Sequence, residues 1–317
     1  MNFYLAPLEG ITTYVYRNAY HKYFYPMTTY YTPFIVPHKE KKFNTRELKE
    51  LSPDHNKGLH VVPQLLTNNS EDFLKTGKEI AEMGYDEINL NLGCPSKTVV
   101  TKNKGSGFLS QLVDLERFLD DIYSKADFKI SIKTRIGKEN PDEFENILRI
   151  YNKFPVCELI IHPRIQTDFY KNKPNLSVFE YATKNSLNPI CYNGDLNTIL
   201  DISNFIDKFD KVESLMLGRG VIHNPSLISS FIDKKPVNKD IIYQFHQEIL
   251  NNYIPISSGD RNVLFKMKEL WFYMSYLFEN AYKHLKKIKK TERIAEYSSI
   301  VQTMFRDCSL RKELTEI

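Results

Sequence analysis

Short hydrophobic runs rich in β-branched and aromatic residues alternate with stretches of helical period up to about residue 235. The eight runs are 3–6, 27–36, 60–66, 87–93, 128–135, 158–164, 189–195 and 214–220. Between two of them, residues 70–84 place Phe73, Leu74 and Ile80 at helical spacing. Eight strands that alternate with helices predict an α/β fold, a (β/α)8 TIM barrel with a parallel sheet.

The alternation of strand and helix patterns ends after residues 233–240, and no further strand pattern follows. Helical stretches are predicted at 239–253, 261–288 and 291–306. We therefore predict a catalytic barrel over residues 1–236 and a small all-helical domain over residues 237–317, with the boundary near Pro236.

Composition places the chain among soluble globular proteins, with 42% hydrophobic and 26% charged residues in a length of 317. Its four cysteines are scattered without metal-ligand spacing, so we expect no metal site, no disulfide framework and a reducing, cytoplasmic location. The amino terminus lacks the pattern of a signal peptide. No run approaches the roughly 18 apolar residues of a membrane span, so no membrane partner is expected.

The positive charge is concentrated near the carboxyl terminus. The formal net charge is +4, and residues 237–317 hold 13 Lys and Arg against 10 Asp and Glu. Residues 283–293, "KHLKKIKKTER", contain six basic residues and one acid. As a helix, this run is either a phosphate-binding surface or a solvated face, and its composition alone leaves both interpretations open.

Unexpected polar residues lie where the predicted strands end. Barrel enzymes carry their active sites at the carboxyl ends of the strands. The residues at these ends are Pro7, Gln64, Asn91, Cys94, Lys133, Arg135, His162, Arg164, Asn193, Asp195, Gly218 and Arg219. Each alone could be a turn or cap residue, but a set drawn from nearly every strand predicts one site.

The last two strands indicate a phosphorylated cofactor. The turns "NGD" at 193–195 and "GRG" at 218–220 offer bare backbone N–H groups, and Arg219 adds a charged fork. Lys133 is expected to project into the barrel mouth, where a lysine needs an anionic or electron-rich partner. The edge of a reduced flavin meets that need, so FMN is the predicted cofactor.

Six motifs occur in an order that resembles the tRNA-dihydrouridine synthases. They are "APLEGIT" (6–12), "NLNLGCPS" (89–96), "IKTR" (132–135), "IHPR" (161–164) with Tyr170, "YNGD" (192–195) and "LGRG" (217–220). The resemblance covers essentially the full chain, and the Asn-Leu-Gly-Cys-Pro core is its specific part. It departs from the family after His162, where Pro163-Arg164-Ile165 stands in place of a frequent Gly-Arg-Thr.

The resemblance implies an FMN enzyme, reduced by NADPH, that saturates the C5–C6 bond of uridines in tRNA. It implies an FMN site formed by Pro7, Gln64, Lys133, His162, Asn193, Asp195, Gly218 and Arg219. Cys94 would be the general acid, and Asn91 would help to hold the target uracil. Arg135 and Tyr170 would lie on the substrate side.

The residue types suit this chemistry. Hydride addition at C6 from the flavin must be matched by a proton at C5, and a thiol of pKa about 8.5 is mostly protonated at neutral pH yet acidic enough to donate. A uridine in folded tRNA must also leave its stack, which costs a few kcal/mol. The basic tail, with Lys286, Lys287 and Lys290, is the predicted grip on the tRNA backbone.

Two other functions compete with this interpretation. One is an FMN barrel that acts on a small free pyrimidine, as dihydroorotate or dihydropyrimidine dehydrogenases do, but a small substrate does not require the helical tail. The other is a non-catalytic RNA-binding barrel, which the intact Cys94, Lys133 and His162 disfavour. We expect a monomer.

Overall fold

The computed structural model describes residues 1–38 and 42–311. Its strands form one parallel sheet. Their bounds are β1 Asn2–Leu5, β2 Thr29–Tyr31, β3 Val61–Val62, β4 Gln64–Leu65, β5 Glu87–Leu92, β6 Lys129–Arg135, β7 Leu159–His162, β8 Ile190–Tyr192 and β9 Ser214–Leu217. Every predicted run overlaps at least one of these strands.

The sheet closes on itself through a single broken strand. Its order is β3-β2-β1-β9-β8-β7-β6-β5-β4, and β3 and β4 are separated in the chain only by Pro63. Proline has no N–H to donate to a sheet ladder, so the predicted third strand is divided in two. One half pairs with β2 and the other with β5. The eightfold parallel barrel predicted from the sequence is confirmed.

Helices follow the strands and continue to the end of the described chain. Their bounds are α1 Tyr14–Tyr23, α2 Thr45–Leu51, α3 Ser70–Ala81, α4 Lys97–Val100, α5 Leu112–Lys125, α6 Glu143–Tyr151, α7 Leu176–Asn185, α8 Ile199–Lys208, α9 Arg219–His223, α10 Leu227–Asp233, α11 Lys239–Tyr253, α12 Asp260–Met274, α13 Tyr282–Lys290 and α14 Ile294–Asp307. Short 3-10 turns occur at Pro53–Asn56, Gly105–Ser110, Gln166–Asp168 and Ser275–Leu277.

Helix α3 shows how local sequence produces these elements. The Asn69 side chain caps the helix by accepting a 2.8 Å hydrogen bond from the Asp72 N–H. Phe73 and Ile80 are fully buried, as the helical spacing predicted. A Cβ at Gly77 would lie 2.3 Å from the Phe128 ring, so glycine lets the helix approach the residue that precedes β6.

The chain divides into two compact units. The first comprises residues 1–7, 28–195 and 208–216, and it contains nearly all of the barrel sheet. The second comprises residues 8–27, 196–207 and 217–317, and its described part contains α1 and α9 to α14. A functional domain boundary near Pro236 stays a prediction.

The helical tail differs from the prediction in one place. Helix α11 has the predicted bounds, but the single helix predicted over 261–288 is wrong, because α12 and α13 are separate. Phe278 forms an antiparallel bridge with Leu310, and the Glu279 N–H donates to the Ser309 carbonyl at 2.9 Å. Asn280 then adopts a positive φ of 56°. This pairing with distant residues ends α12 and displaces the start of α13.

The helices of the second unit pack around three buried, hydrogen-bonded side chains. The Trp271 indole N–H donates to the Tyr297 hydroxyl at 2.7 Å, so that hydroxyl directs its own hydrogen to His246 Nε2 at 2.6 Å. Burial lowers the pKa of His246 to about 3, which keeps the ring neutral and able to accept. The three side chains join α11, α12 and α14.

Candidate active site

Polar side chains line one face of β5 because residues two apart in a strand share a face. Asn89 pairs in register with Gln64 on one side and Ser131 on the other. Its amide accepts from Gln64 Nε2 and donates to Ser131 Oγ, both at 2.8 Å. Asn91, two residues on, donates to Gln64 Oε1 at 2.6 Å. The polar residues of this buried strand are therefore satisfied by side chains of the neighbouring strands β4 and β6.

Cys94 follows β5 on a loop whose peptide groups are held from both sides. The Asn91 Oδ1 accepts hydrogen bonds from the Gly93 N–H at 3.0 Å and the Cys94 N–H at 2.9 Å. The Ser106 N–H and hydroxyl both donate to the Cys94 carbonyl, at 3.1 and 2.8 Å. The Cys94 side chain is half-buried. The loop is thus fixed while the thiol stays near the surface of the site.

Gly105 is required beside this loop. It has a φ of +56°, and a Cβ there would lie 2.8 Å from the Cys94 carbonyl oxygen. Sequence reasoning missed both Gly105 and Ser106. The available signal was the pair of glycines around a serine at 105–107, which predicts a close approach of backbone but not the partner.

The other three cysteines lie away from the ends of strands that form the site, and two of them are core residues. Cys191 and Cys308 are buried, and Cys157 is half-buried. Burial raises the pKa of each thiol, to about 12 for Cys157. None of the three follows the carboxyl end of a strand, so Cys94 is the candidate for acid chemistry.

Lys133 lies on β6 beside Asn91, its register partner. Burial, with a smaller contribution from the nearby Arg135 charge, lowers its pKa to about 8. Within the described residues, the ammonium makes no hydrogen bond or ion pair. A half-buried cation of this kind fits an anionic or electron-rich ligand at the barrel mouth, as the edge of a flavin would provide.

Arg135, two residues after Lys133 on β6, donates hydrogen bonds to two loops. It is 1% exposed, and its Nε donates to the Gly93 carbonyl at 3.0 Å. Its terminal nitrogens donate to the carbonyls of Ile165 and Phe169 at 2.7 and 2.6 Å. The guanidinium therefore ties the Cys94 loop to the loop after β7, and its direct contact with substrate stays a prediction.

Tyr170 is an exposed aromatic residue of the loop after β7. Its ring is 54% exposed, 5.4 Å from the Arg135 guanidinium carbon and 6.0 Å from the His162 ring centroid. An exposed ring held on an arginine suits stacking on a base. The substrate role predicted for Tyr170 fits this position and stays a prediction.

His162 and Asp195 meet through Arg164, which sequence reasoning noted only at a strand end. Arg164 Nη1 lies 2.9 Å from His162 Nε2 and 3.1 Å from Asp195 Oδ1, and its Nη2 donates to Asp195 Oδ2. The ion pair between Arg164 and Asp195 joins the segment after β7 to the segment after β8. Asp195, predicted beside FMN, is thus held by an arginine and remains about one-third exposed.

Three further predicted cofactor residues belong to the first unit: Pro7 and Asn193 follow β1 and β8, and Gln64 begins β4. Pro7 is half-buried two residues after β1. Asn193 is buried, and its amide donates to the Met216 carbonyl at 2.8 Å. Gln64 is fully buried with its amide shared between Asn89 and Asn91. A Cβ at Gly194 would lie 2.0 Å from the Tyr192 hydroxyl, so that turn requires glycine.

Gly218 and Arg219 belong to the second unit, at the start of α9. A Cβ at Gly220 would lie 2.1 Å from the Leu196 carbonyl oxygen, which explains the second glycine of "GRG". Both predicted phosphate contacts are half-buried. Their role toward a cofactor stays a prediction.

The basic run forms one exposed face of α13. Ile288 is buried, whereas the lysines are exposed: Lys283, Lys286, Lys287, Lys289 and Lys290. None of them makes an ion pair with a residue that the structure describes. The face therefore carries concentrated positive charge that no residue of the described chain neutralises in an ion pair.

The fold and the site together define the class: a (β/α)8-barrel enzyme with its polar groups at the carboxyl ends of the strands. Two solved structures share the fold. One is a variant of NCR from Zymomonas mobilis, with a TM-score of 0.52 and 15% identity over 77% of this chain and 90% of that one. The other is histamine dehydrogenase from Rhizobium sp. 4-9, with a TM-score of 0.57 and 11% identity. That match covers 88% of this chain and 51% of the dehydrogenase chain.

Sequence comparison narrows the class to a family. The Dihydrouridine synthase (Dus) family matches residues 4–309. A Staphylococcus aureus (strain Mu50) protein named "Probable tRNA-dihydrouridine synthase" is 27% identical over 266 residues, or 79% of this chain and 78% of that one. Pasteurella multocida tRNA-dihydrouridine synthase B is 23% identical over 271 residues, which are 81% of this chain and 80% of that protein. The chain belongs to the dihydrouridine synthase family, a family of flavin oxidoreductases.

Proposed function

We propose that this enzyme reduces the C5–C6 bond of uridines in tRNA, with FMN as cofactor and NADPH as reductant. The observation that carries the proposal is the Cys94 thiol on a fixed loop at the end of β5, three residues after Asn91, which is the register partner of Lys133 on β6. A positioned thiol and an unpaired cation at one barrel mouth suit proton donation beside an electron-rich cofactor.

Cys94 donates the proton from Sγ to C5 of the uracil. A thiol of pKa about 8.5 is mostly protonated at neutral pH, and general-acid assistance contributes about 10²- to 10⁴-fold. The hydrogen bonds from Ser106 and to Asn91 hold the Cys94 peptide, so the thiol needs little reorganisation. One amide hydrogen of Asn91 has no described partner and is available to the uracil.

Bound FMN would supply the hydride to C6. Lys133 holds its electron-rich edge and supports the negative charge of the reduced ring, because its own ammonium has no internal counter-charge among the described residues. The other residues proposed around FMN are Pro7, Gln64, His162, Asn193, Asp195, Gly218 and Arg219.

The exposed lysine face of α13 binds the phosphate backbone of tRNA, with Lys286, Lys287 and Lys290 on one side of the helix. These contacts offset the few kcal/mol needed to unstack the target base. Tyr170 and Arg135 complete the substrate side. A free pyrimidine would need neither the unpaired lysines nor a second compact unit, so the α13 face favours tRNA over that rival.

The proposed unit of action is a monomer, because one copy of the chain supplies every residue invoked above. All four cysteines are free, which suits a reducing compartment such as the cytoplasm. No helix among the described residues is long and apolar enough to cross a bilayer.

Purified protein tests the proposal directly. We expect a flavin absorbance spectrum, bleaching by NADPH, and dihydrouridine in an unmodified tRNA transcript after incubation. Flavin with product only on free pyrimidines would support the small-substrate rival. Absence of flavin after reconstitution with FMN would refute the proposal.

A further inference from the structure

Arg164 is one of the most completely bonded side chains of the site. It is 2% exposed, and its Nε donates to the Asn172 carbonyl at 2.6 Å. Its Nη2 donates to Asp195 Oδ2, and its Nη1 donates to Asp195 Oδ1 at 3.1 Å. These bonds fix the plane of the guanidinium and direct the second hydrogen of Nη1 at His162 Nε2, 2.9 Å away.

This geometry determines which nitrogen of His162 carries the proton. A guanidinium has five N–H donors, no acceptor and a pKa above about 12, so it stays charged. His162 Nε2 must therefore present a lone pair to Arg164. An imidazole with a bare Nε2 is neutral and bears its hydrogen on Nδ1, whereas an imidazolium would direct a second N–H at the guanidinium.

We propose that Arg164 is a positioning residue that holds His162 as the neutral Nδ1–H tautomer. His162 then serves the site as a hydrogen-bond donor through Nδ1 and is not a source of protons. Asp195 and the Asn172 carbonyl anchor Arg164 in this role. The catalytic meaning of the tautomer rests on the function proposed above, because a neutral His162 leaves the proton donation to Cys94.

The charges around His162 support the neutral form. Arg135 is its register partner on β6, and Lys133 lies two residues earlier on that strand. The groups that face it from the neighbouring elements are Lys133, Arg135, Arg164, Asp168, Tyr170 and Asp195. Asp195 is engaged in two bonds with Arg164, and the Asp168 carboxylate accepts hydrogen bonds from the Ile165 N–H and the Asn172 amide. An additional positive charge on the imidazole would meet cations on both adjacent elements.

The protonation state and tautomer of the His162 ring can be measured without an activity assay. We would label the histidines of the full chain with ¹⁵N and record ring-nitrogen chemical shifts between pH 5 and 8, with His162→Gln to identify the signals among the eight histidines. We expect a protonated Nδ1 and a bare Nε2 at pH 7. The ring should titrate at least about one pH unit below the usual 6.5. An Nε2–H tautomer or an imidazolium at pH 7 would overturn the proposal.

Arg164→Met tests whether Arg164 fixes the tautomer of His162. The substitution removes the hydrogen-bond donor and the charge while retaining the length of the side chain. The titration midpoint of His162 should rise by about one unit or more toward 6.5, and both tautomers should be populated. Arg149→Met is the matched control, since Arg149 is exposed on α6 and distant from the site, and it should leave the His162 signals unchanged. An unchanged tautomer in Arg164→Met would overturn the role of Arg164. If that variant does not fold, the wild-type spectrum still decides the tautomer.

A pH profile separates this inference from the proposed function. The rate of dihydrouridine formation in the wild type should show no inflection from His162 between about pH 6 and 7, and Arg164→Met should gain one. If no tRNA is reduced at all, the proposed function fails while the ring-nitrogen spectrum still answers the question of the tautomer.

Discussion

Gly105 offers a sharp test of how the Cys94 loop is held. In Gly105→Ala, the new Cβ would lie 2.8 Å from the Cys94 carbonyl oxygen and 3.0 Å from the Cys94 Cβ. Ordinary contact begins near 3.4 Å, so the Cys94 peptide must move by about half an ångström. The substitution also forces an L-residue to a φ of +56°, which costs about 1–2 kcal/mol.

Gly58 supplies a matched control, because its φ is +83° and a Cβ there meets nothing within 4 Å. Gly58→Ala therefore carries a similar backbone strain without displacing a neighbour. Gly58→Ala should lose about 1–2 kcal/mol of unfolding free energy, seen as a fall of a few degrees in Tm, and Gly105→Ala should lose at least as much because of its added clash. Only Gly105→Ala should lose activity, because displacement of a reacting group by about 1 Å can slow chemistry roughly 10²-fold.

The assay is single-turnover formation of dihydrouridine with pre-reduced enzyme, beside thermal unfolding of each variant. We expect the rate to fall about 10- to 100-fold in Gly105→Ala and by less than about twofold in Gly58→Ala. Equal rates in the two variants would refute the reasoning that the 105–106 segment positions Cys94.

Three more predictions follow from the geometry. Weaker tRNA binding and a flatter salt dependence are expected when four lysines are changed to glutamine together, Lys286, Lys287, Lys289 and Lys290; an unchanged salt slope would return α13 to the status of a solvated face. Lys133→Met should weaken flavin binding yet leave or raise the Tm of the apoprotein, because it removes a half-buried cation that has no described partner; a large fall in Tm would contradict this. Burial, with a smaller contribution from the Glu87 charge, raises the pKa of Glu158 from 4.5 to about 7. Stability should therefore fall as pH rises from about 4.5 to 7, by roughly 1–3 kcal/mol, and Glu158→Gln should abolish this component in urea unfolding at pH 5 and 8.

Local composition was sufficient to predict the barrel. Each strand stands out as a short apolar run, and the parallel arrangement follows from the helices between the runs. The same reasoning joined α12 and α13 wrongly. The break depends on pairing of Phe278 with Leu310, about 30 residues away, and no periodicity near residue 278 carries that information.

The candidate site was also predicted only in part from the sequence. Cys94 and Lys133 stand out because strand ends and a period of two place them at the barrel mouth. The residues that hold the site together were missed or given other roles, because their partners lie on loops far apart in the chain. Arg164 is an example, since it bonds Asp195 across 31 positions, and Ser106 reaches the Cys94 carbonyl across 12.

The most direct test of the account compares Cys94→Ala with Cys157→Ala in single-turnover reduction of a tRNA transcript by the pre-reduced enzyme. Cys157 is a half-buried thiol at the amino end of β7, so it controls for loss of a sulfur. We predict that both variants retain flavin and that only Cys94→Ala slows dihydrouridine formation, by about 10²- to 10⁴-fold. Near-normal turnover in Cys94→Ala would contradict the assignment of Cys94 as the proton donor.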